Sequence, residues 1–243
     1  MDPSSPLLSH EGFRMRGAAM SRIDAFSDVV FGFALTLLVV SLEVPKTFSE
    51  LQESLRGFIP FAICFALLLS LWHSHFVFFR RYGLHDQFTI LLNSCLLFVV
   101  LFYVYPLKFL FTTLFHQVSH QPSESTFTAN AQITELMVVY AMGFAAVHLL
   151  LAALYWNAWR QRHALALSGL ERLLTVSSVV DALGMVAIGL VACLAVLLTA
   201  LLLPSWSGYS GYLYFLIAPW KTLNGRYFGK KARHLRNLIT APS

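Results

Sequence analysis

The stretch RIDAFSDVVFGFALTLLVVSLEV, residues 22–44, sets the pattern for the whole chain. It is mostly apolar and opens on the basic residue Arg22. Its acidic residues Asp24 and Glu43 lie near its ends, and Asp28 lies farther inside. A bilayer core is crossed by roughly 20 apolar residues in a helix, because lipid offers no partner to an unpaired backbone amide. The stretch therefore predicts a membrane-spanning helix.

Comparable apolar blocks follow along the 243 residues, of which 57% are hydrophobic and 12% charged. Soluble domains have about 45–50% and 25%, so this chain cannot cover a globule with polar surface. We predict an all-α membrane protein with six transmembrane helices per subunit. The sixth is the weakest, since it is short and follows Pro204. The predicted spans are residues 22–44, 57–79, 88–114, 131–158, 174–203 and 206–221.

Lysine and arginine predict the orientation of these spans, because positive loops are retained on the cytoplasmic side. Fourteen of the seventeen Lys and Arg residues lie before the first span, after the second, between the fourth and fifth, or after the sixth. Both termini are therefore expected in the cytoplasm. The chain divides into an N-terminal arm, residues 1–21, a six-helix transmembrane domain, residues 22–221, and a basic tail, residues 222–243.

The basic tail has two interpretations. Its charges are stop-transfer residues, or they bind anionic lipid headgroups, to which each basic residue contributes about 1 kcal/mol. Topology explains the net charge of +5, so nothing points to nucleic acid. A Gly-rich phosphate loop, a GxSxG elbow and an HExxH pair are missing from the sequence, which gives no sign of an enzyme. The three cysteines, Cys64, Cys95 and Cys193, lie within apolar blocks and read as packing residues.

Polar residues within the first three spans are predicted to meet at one depth. Asp28 lies six residues from the inner end of the first span, about 9 Å along a helix, and Trp72, His75 and Asn93 lie at similar depths in the next two spans. We expect Ser27, Asp28, Trp72, His75 and Asn93 to form an inner polar cluster in which the carboxylate accepts from the indole and imidazole N–H groups.

This cluster is either a satisfied hydrogen-bond network that joins three helices or a proton relay. One carboxylate and one or two imidazoles are too few for a metal site, so no metal is expected. Two further polar residues lie in later spans, His148 midway along the fourth and Asp181 in the fifth. Both fit a packing role, and the sequence does not assign them another.

The first span also carries an apolar stripe that lies away from Ser27 and Asp28. At 100° per residue, its members fall within about 60° of Phe33. Periodicity alone fits contact with lipid as well as a hydrophobic constriction between symmetry-related copies, in which Thr36 supplies a ring of hydroxyls. The stripe comprises Val29, Phe33, Thr36, Leu37, Val40 and Val44.

The motif RxxxFSD at residues 22–28 resembles the signature of the transmembrane protein 175 family of endolysosomal and bacterial potassium channels. The motif LWxxH at residues 71–75, and Asp86 with Asn93 seven residues later, are similar to that family's second and third helices. The resemblance covers residues 22–110. The signature and its supporting polar network are Arg22, Phe26, Ser27, Asp28, Trp72, His75 and Asn93.

The resemblance implies a potassium-permeable channel that needs no cofactor, built as a homotetramer of six-helix subunits in the bilayer, which is the cell inner membrane for a bacterial protein. The first helices would line the pore, constricted by rings at Phe33, Leu37 and Val40, with Thr36 aiding cation selectivity. Phe33 departs from the family pattern, because four phenyl rings are bulkier than branched aliphatic ones. Which ring closes the pore is therefore open.

Two other functions are alternatives to the channel. A proton-coupled secondary transporter would use Asp28, His75 and Asp181 as its proton path, although the broken mid-membrane helices common in such proteins are not evident. A membrane enzyme or redox protein would use the histidines. Saturable pH-driven uptake would favour the first, and visible absorbance or a bound metal the second.

Overall fold

The structure is a computed structural model in which residues 12–17, 19–40, 46–48, 52, 55, 58–118, 130–202 and 211–240 are described. The side chains of some residues within these ranges, including 39–40 and 110–118, lie outside the description. Six long helices account for most of the described residues. They are α1 (Arg22–Val40), α2 (Phe58–Tyr82), α3 (Gln87–Val118), α4 (Asn130–Arg160), α5 (Gly169–Leu202) and α6 (Ile217–Thr240).

Four of these helices, α2 to α5, are long and apolar enough to cross a membrane. This agrees with an all-α, multi-pass membrane protein, as the spacing of the apolar blocks predicts. The described part of α1 is shorter, and α6 is more polar than the four. Helices α1, α2 and α3 pack against one another, α4 packs on α3 and most closely on α5, and α6 packs on α5.

Side-chain caps fix the starts of three helices. Ser21 and Asp24 form a reciprocal capping box at α1, in which Ser21 N donates to Asp24 Oδ2 at 3.0 Å and Asp24 N to Ser21 Oγ at 3.2 Å. Ser168 and Glu171 repeat the arrangement at α5, with distances of 2.8 and 3.3 Å. Asp86 caps α3. These caps satisfy N–H groups that have no partner in the first helical turn.

The last helix differs from the sequence prediction of a span at 206–221. Residues 203–210 lie outside the described part, 211–216 form a short 3₁₀-helix, and α6 continues from Ile217 to Thr240. Most of the predicted basic tail is therefore helical. It packs antiparallel on α5, where Trp220 lies so close to Gly184 that an added Cβ would overlap the indole. The sequence predicts a tail here because many of these residues are basic. Basic residues nevertheless form a helix readily where a neighbouring helix supplies a packing face.

Candidate functional site

Helix α1 has one buried face and one exposed face. Residues of the buried face recur every three or four positions. The buried face comprises four residues that are at most 1% exposed: Ser27, Phe31, Ala34 and Leu38. The opposite face carries much of the apolar stripe. Val29 and Phe33 remain 64% and 63% exposed, Thr36 is also exposed, and Leu37 is half-buried. The side chain of Val40 and all of Val44 lie outside the described residues.

The signature residues divide between the two faces in the same way. Arg22 and Phe26 lie on the exposed side at the start of α1, with Phe26 60% exposed. Ser27 is fully buried and Asp28 partly buried. The motif therefore supplies both the polar attachment of α1 to its neighbours and the inner end of the exposed face.

The hydroxyl of Thr36 is oriented by its own helix. Its Oγ1 donates to the carbonyl of Phe33 at 2.7 Å, three residues earlier. A hydroxyl has one proton and two lone pairs, so this bond uses the donor and leaves acceptor capacity on an exposed oxygen. Thr36 can therefore offer oxygen lone pairs to a cation that lies against the exposed face of α1.

The structure brings the five members of the inner polar cluster together, with one difference from the prediction. The indole Nε1 of Trp72 donates to Asp28 Oδ1 at 2.8 Å, as expected. The imidazole does not donate to Asp28: His75 Nε2 lies 2.7 Å from Asn93 Oδ1. Asn93 Nδ2 in turn donates to Ser27 Oγ at 2.9 Å. The imidazole therefore bonds to the amide of Asn93 and not to the carboxylate of Asp28.

Three members of the cluster form a continuous chain of hydrogen bonds, separate from the Trp72–Asp28 pair. His75 donates to Asn93, Asn93 to Ser27, and Ser27 Oγ to the carbonyl of Ile23 at 2.7 Å. Ser27, His75 and Asn93 are at most 2% exposed. Buried polar groups in such a network fix relative helix rotation, because turning one helix leaves several donors unpaired. The cluster thus holds the apolar stripe away from α2 and α3.

A second attachment holds α1 farther along. Lys108 of α3 donates from Nζ to the main-chain carbonyl of Leu38 at 3.3 Å. Sequence reasoning had no signal for this contact, because its acceptor is a backbone oxygen. The inner cluster and this bond constrain α1 at two depths.

Asp86 joins the start of α3 to the end of α4. Thr89 donates to it from both its backbone N and its hydroxyl, at 3.2 and 2.6 Å, and Gln161 Nε2 donates at 3.1 Å. Asn157 also lies within hydrogen-bonding distance, at 3.4 Å. Burial opposes the charge of Asp86, but these donors outweigh it and lower its pKa. The predicted motif residue is thus a cap and a tie between helices.

The N-terminal arm is the feature that sequence reasoning missed. Phe13 is fully buried, with its ring 5.4 Å from that of Tyr82. Arg14 and Arg16 both pair with Glu171 of α5, with Nη2 to Oε2 distances of 3.1 and 3.0 Å. The Ser168-x-x-Glu171 spacing signals a helix start, but nothing local connects it to arginines 155 or more residues earlier.

The structure does not bring together Asp28, His75 and Asp181, the proton path of the alternative transporter. Asp181 Oδ2 pairs with Lys221 Nζ of α6 at 3.2 Å. His148 Nδ1 lies 2.8 Å from the carbonyl of Phe144 in its own helix. Helices α1 and α5 do not pack against each other within the described part. Among the described residues, no group of three or more His, Cys, Asp or Glu is arranged to hold a metal ion.

Comparisons with known proteins match this chain to potassium channels. The model of the family described as endosomal/lysosomal potassium channel TMEM175 matches residues 22–103. A potassium channel of Marivirga tractuosa is 40% identical over 235 residues, covering 92% of this chain and 93% of the relative. A potassium channel of Chamaesiphon minutus is 33% identical over 103 residues, covering 39% of this chain and 51% of the relative.

Two solved structures are similar as well. A crystal structure of a threonine-to-alanine variant of the potassium channel MtTMEM175, in complex with a nanobody–MBP fusion, has a TM-score of 0.81 and 38% identity. It covers 92% of this chain and 100% of that one. A lysosomal potassium-selective channel TMEM175 homolog from Chamaesiphon minutus has a TM-score of 0.53 and 25% identity, covering 84% and 96%. The RxxxFSD signature, the helices it joins and the near full-length relative lead to one conclusion: the chain belongs to the TMEM175 family of potassium channels, which are not enzymes.

Proposed function

We propose that this chain forms a potassium-permeable cation channel whose pore is lined by the apolar stripe of α1. The observation that carries the proposal is the division of α1 into two faces. Ser27 and Asp28 are tied to α2 and α3 through the inner polar cluster, whereas Val29, Phe33 and Thr36 stay exposed on the subunit. The relatives named as potassium channels support the same function.

A homotetramer would give the exposed face a partner. Phe26, Val29 and Phe33 each expose 60% or more of their surface in the single subunit. Four copies of α1 around an axis would enclose this face, and the satisfied polar face would stay inside each subunit. Such assembly would follow the preference of homo-oligomers for closed point-group symmetry.

The constriction would be hydrophobic. Rings of Phe33, Leu37 and Val40 leave no hydrogen-bonding group in the lumen at their levels, so a narrow pore there excludes water when closed. Thr36 lies between them and presents oxygen lone pairs. A ring of hydroxyl oxygens without a carboxylate gives a weak field, which suits a monovalent cation better than a divalent one.

The proposed orientation places both termini in the cytoplasm. The arm (1–21) and the segment 222–243 then flank the channel domain (22–221) on the inner side, with the cell inner membrane as the location in a bacterium. Arg80 and Arg81 in the last turn of α2 and Arg160 in the last turn of α4 would lie on that side too. Basic residues of α6 would face anionic lipid there.

The test is the reversal potential of purified protein in planar bilayers with K⁺ on one side and Na⁺ on the other. We expect a clear K⁺ preference in the wild type and a weaker one in Thr36→Val, which keeps the shape but removes the oxygen. Ser94→Ala is the control, because Ser94 is exposed on α3 and, among the described residues, its hydroxyl bonds only to the Ile90 carbonyl of its own helix. If Thr36→Val leaves the reversal potential unchanged, Thr36 is not part of the selectivity ring.

A further inference from the structure

A groove lies between the second half of α6 and the start of α5. It has a volume of about 440 Å³ and is lined by Leu173, Lys230, Lys231, His234 and Leu235. Its surface is almost entirely apolar, formed by the leucines and the carbon stems of the lysines, and the lysines and His234 bring basic groups to its edge. This combination matches an amphiphilic anion better than a small soluble one, because both an apolar and a charged surface are offered.

The depth of the groove can be worked out from one contact between helices. Tyr82, the last residue of α2, donates its hydroxyl proton to Thr175 Oγ1 of α5 at 2.8 Å. Leu173, two residues earlier in α5, therefore lies near the level at which α2 ends. That end carries Arg80 and Arg81, and such residues mark the cytoplasmic membrane boundary. The groove consequently lies at the level of the inner-leaflet headgroups.

One side of α6 changes from apolar to cationic on the way to the cytoplasm. Leu223 and Tyr227 are 62% and 56% exposed. Lys230, Lys231 and His234 follow at helical spacing on the same side. Tyr227 also holds Lys231, whose Nζ donates to the phenol oxygen at 2.6 Å and lies 4.2 Å from the ring centroid. An acyl chain followed by a phosphate needs this order of surfaces.

The charges of the groove have no local counterion. The segment 217–240 contains six Lys or Arg and no Asp or Glu. Lys221 pairs with Asp181, but within the described residues no ion pair joins Lys230 or Lys231 to a carboxylate. A phosphate group at the rim would neutralise charges that otherwise repel one another.

We propose that this groove binds an anionic phospholipid of the inner leaflet, with its phosphate at Lys230, Lys231 and His234 and one acyl chain along Leu223 and Tyr227. The proposal rests on the orientation given under the proposed function, with the basic helix ends inside. It does not depend on the pore, so loss of lipid binding and loss of potassium selectivity are separate results.

The experiment compares two variants of the full chain with equal net charge. Lys230→Gln with Lys231→Gln removes two rim charges. Arg226→Gln with Arg233→Gln removes two exposed charges of α6 that do not line the groove. Thermal unfolding of purified protein in dodecyl maltoside is followed while phosphatidylglycerol, phosphatidylcholine or inorganic phosphate is titrated. A ligand that binds only the folded state raises Tm by an amount that grows with the logarithm of its concentration relative to Kd.

We expect phosphatidylglycerol to raise Tm in the wild type and the Arg226/Arg233 variant, and phosphatidylcholine and phosphate to have little effect. The Lys230/Lys231 variant should need roughly 30-fold more phosphatidylglycerol, the loss expected from removing two basic contacts with an anionic surface. Its Tm without lipid should equal that of the control variant, since the substituted side chains are exposed. Equal responses of the two variants, equal effects of both lipids, or a full response to phosphate alone would each overturn the proposal.

Discussion

Glu171→Gln tests how the N-terminal arm is held against the helices. The Glu171 side chain is 1% exposed and pairs with both Arg14 and Arg16. It also accepts the backbone N–H of Arg14 at 2.9 Å and that of Ser168 at 2.8 Å. Glutamine keeps the size of the side chain but removes the charge and turns one acceptor into a donor that faces two guanidinium groups.

The cost follows from burial. Breaking a buried ion pair costs about 3–5 kcal/mol, but the Arg14 side chain is 42% exposed, so solvent screens its share and we expect about 2–3 kcal/mol. At about 2–4 °C per kcal/mol for a chain of this size, Tm should fall by roughly 4–12 °C. Thermal unfolding in detergent, followed by tryptophan fluorescence, measures it.

The control for this prediction is Glu135→Gln, which makes the same change in charge at an exposed position of α4. We expect it to alter stability by about 0.5 kcal/mol at most. Arg16→Gln should destabilise more than Arg14→Gln, because the Arg16 side chain is 19% exposed and that of Arg14 42%. Unfolding of the Glu171 and Glu135 variants at the same temperature would refute the reasoning.

Three further predictions follow from the helix contacts. Trp72→Phe removes the indole donor to Asp28 and should lower stability by about 2 kcal/mol, measured by thermal unfolding, while the reversal potential stays at its wild-type value. Leu37→Ala should raise single-channel potassium current by widening the constriction, and a current at or below the wild-type level would contradict its place there. Asp86→Asn should be less stable than the wild type at neutral pH. Because the folded-state pKa of Asp86 is lowered, its contribution is present above the ordinary pKa of about 3.9 and is lost as pH falls through the lower value, so the difference in Tm should shrink below about pH 4; a constant difference would show that the charge is not involved.

Much of the membrane domain was predictable, because spans and depths follow from elementary geometry. The length of the apolar blocks predicted α1 to α5, and counting residues from the basic helix ends predicted that Asp28, Trp72, His75 and Asn93 share one level. Depth does not fix side-chain direction, however. Whether His75 meets Asp28 or Asn93 depends on how each helix is rotated about its axis, which counting residues does not give.

The attachment of the N-terminal arm and the position of α6 could not be predicted, because both depend on contacts between distant parts of the chain. The pairing of Arg14 and Arg16 with Glu171 joins residues far apart in the chain. The sequence near the arginines is typical of a charged N-terminus, and the sequence near Glu171 is typical of a helix start. Helix α6 was misplaced because its basic residues look like stop-transfer charge. Its packing on α5 depends on Gly184, which leaves space for the Trp220 ring. No local sequence pattern predicts this contact between two helices.

The central claim is that the exposed face of α1 lines the pore. The most direct measurement is block of potassium current by Cd²⁺ in single-cysteine channels, after replacing Cys64, Cys95 and Cys193 with serine. Thr36→Cys should make the current sensitive to micromolar Cd²⁺, since four thiols would face one axis, whereas Ala34→Cys, buried in the subunit core, should stay insensitive. A Thr36→Cys channel that conducts normally in Cd²⁺ but is labelled by a lipid-soluble maleimide would place this face against lipid and contradict the account.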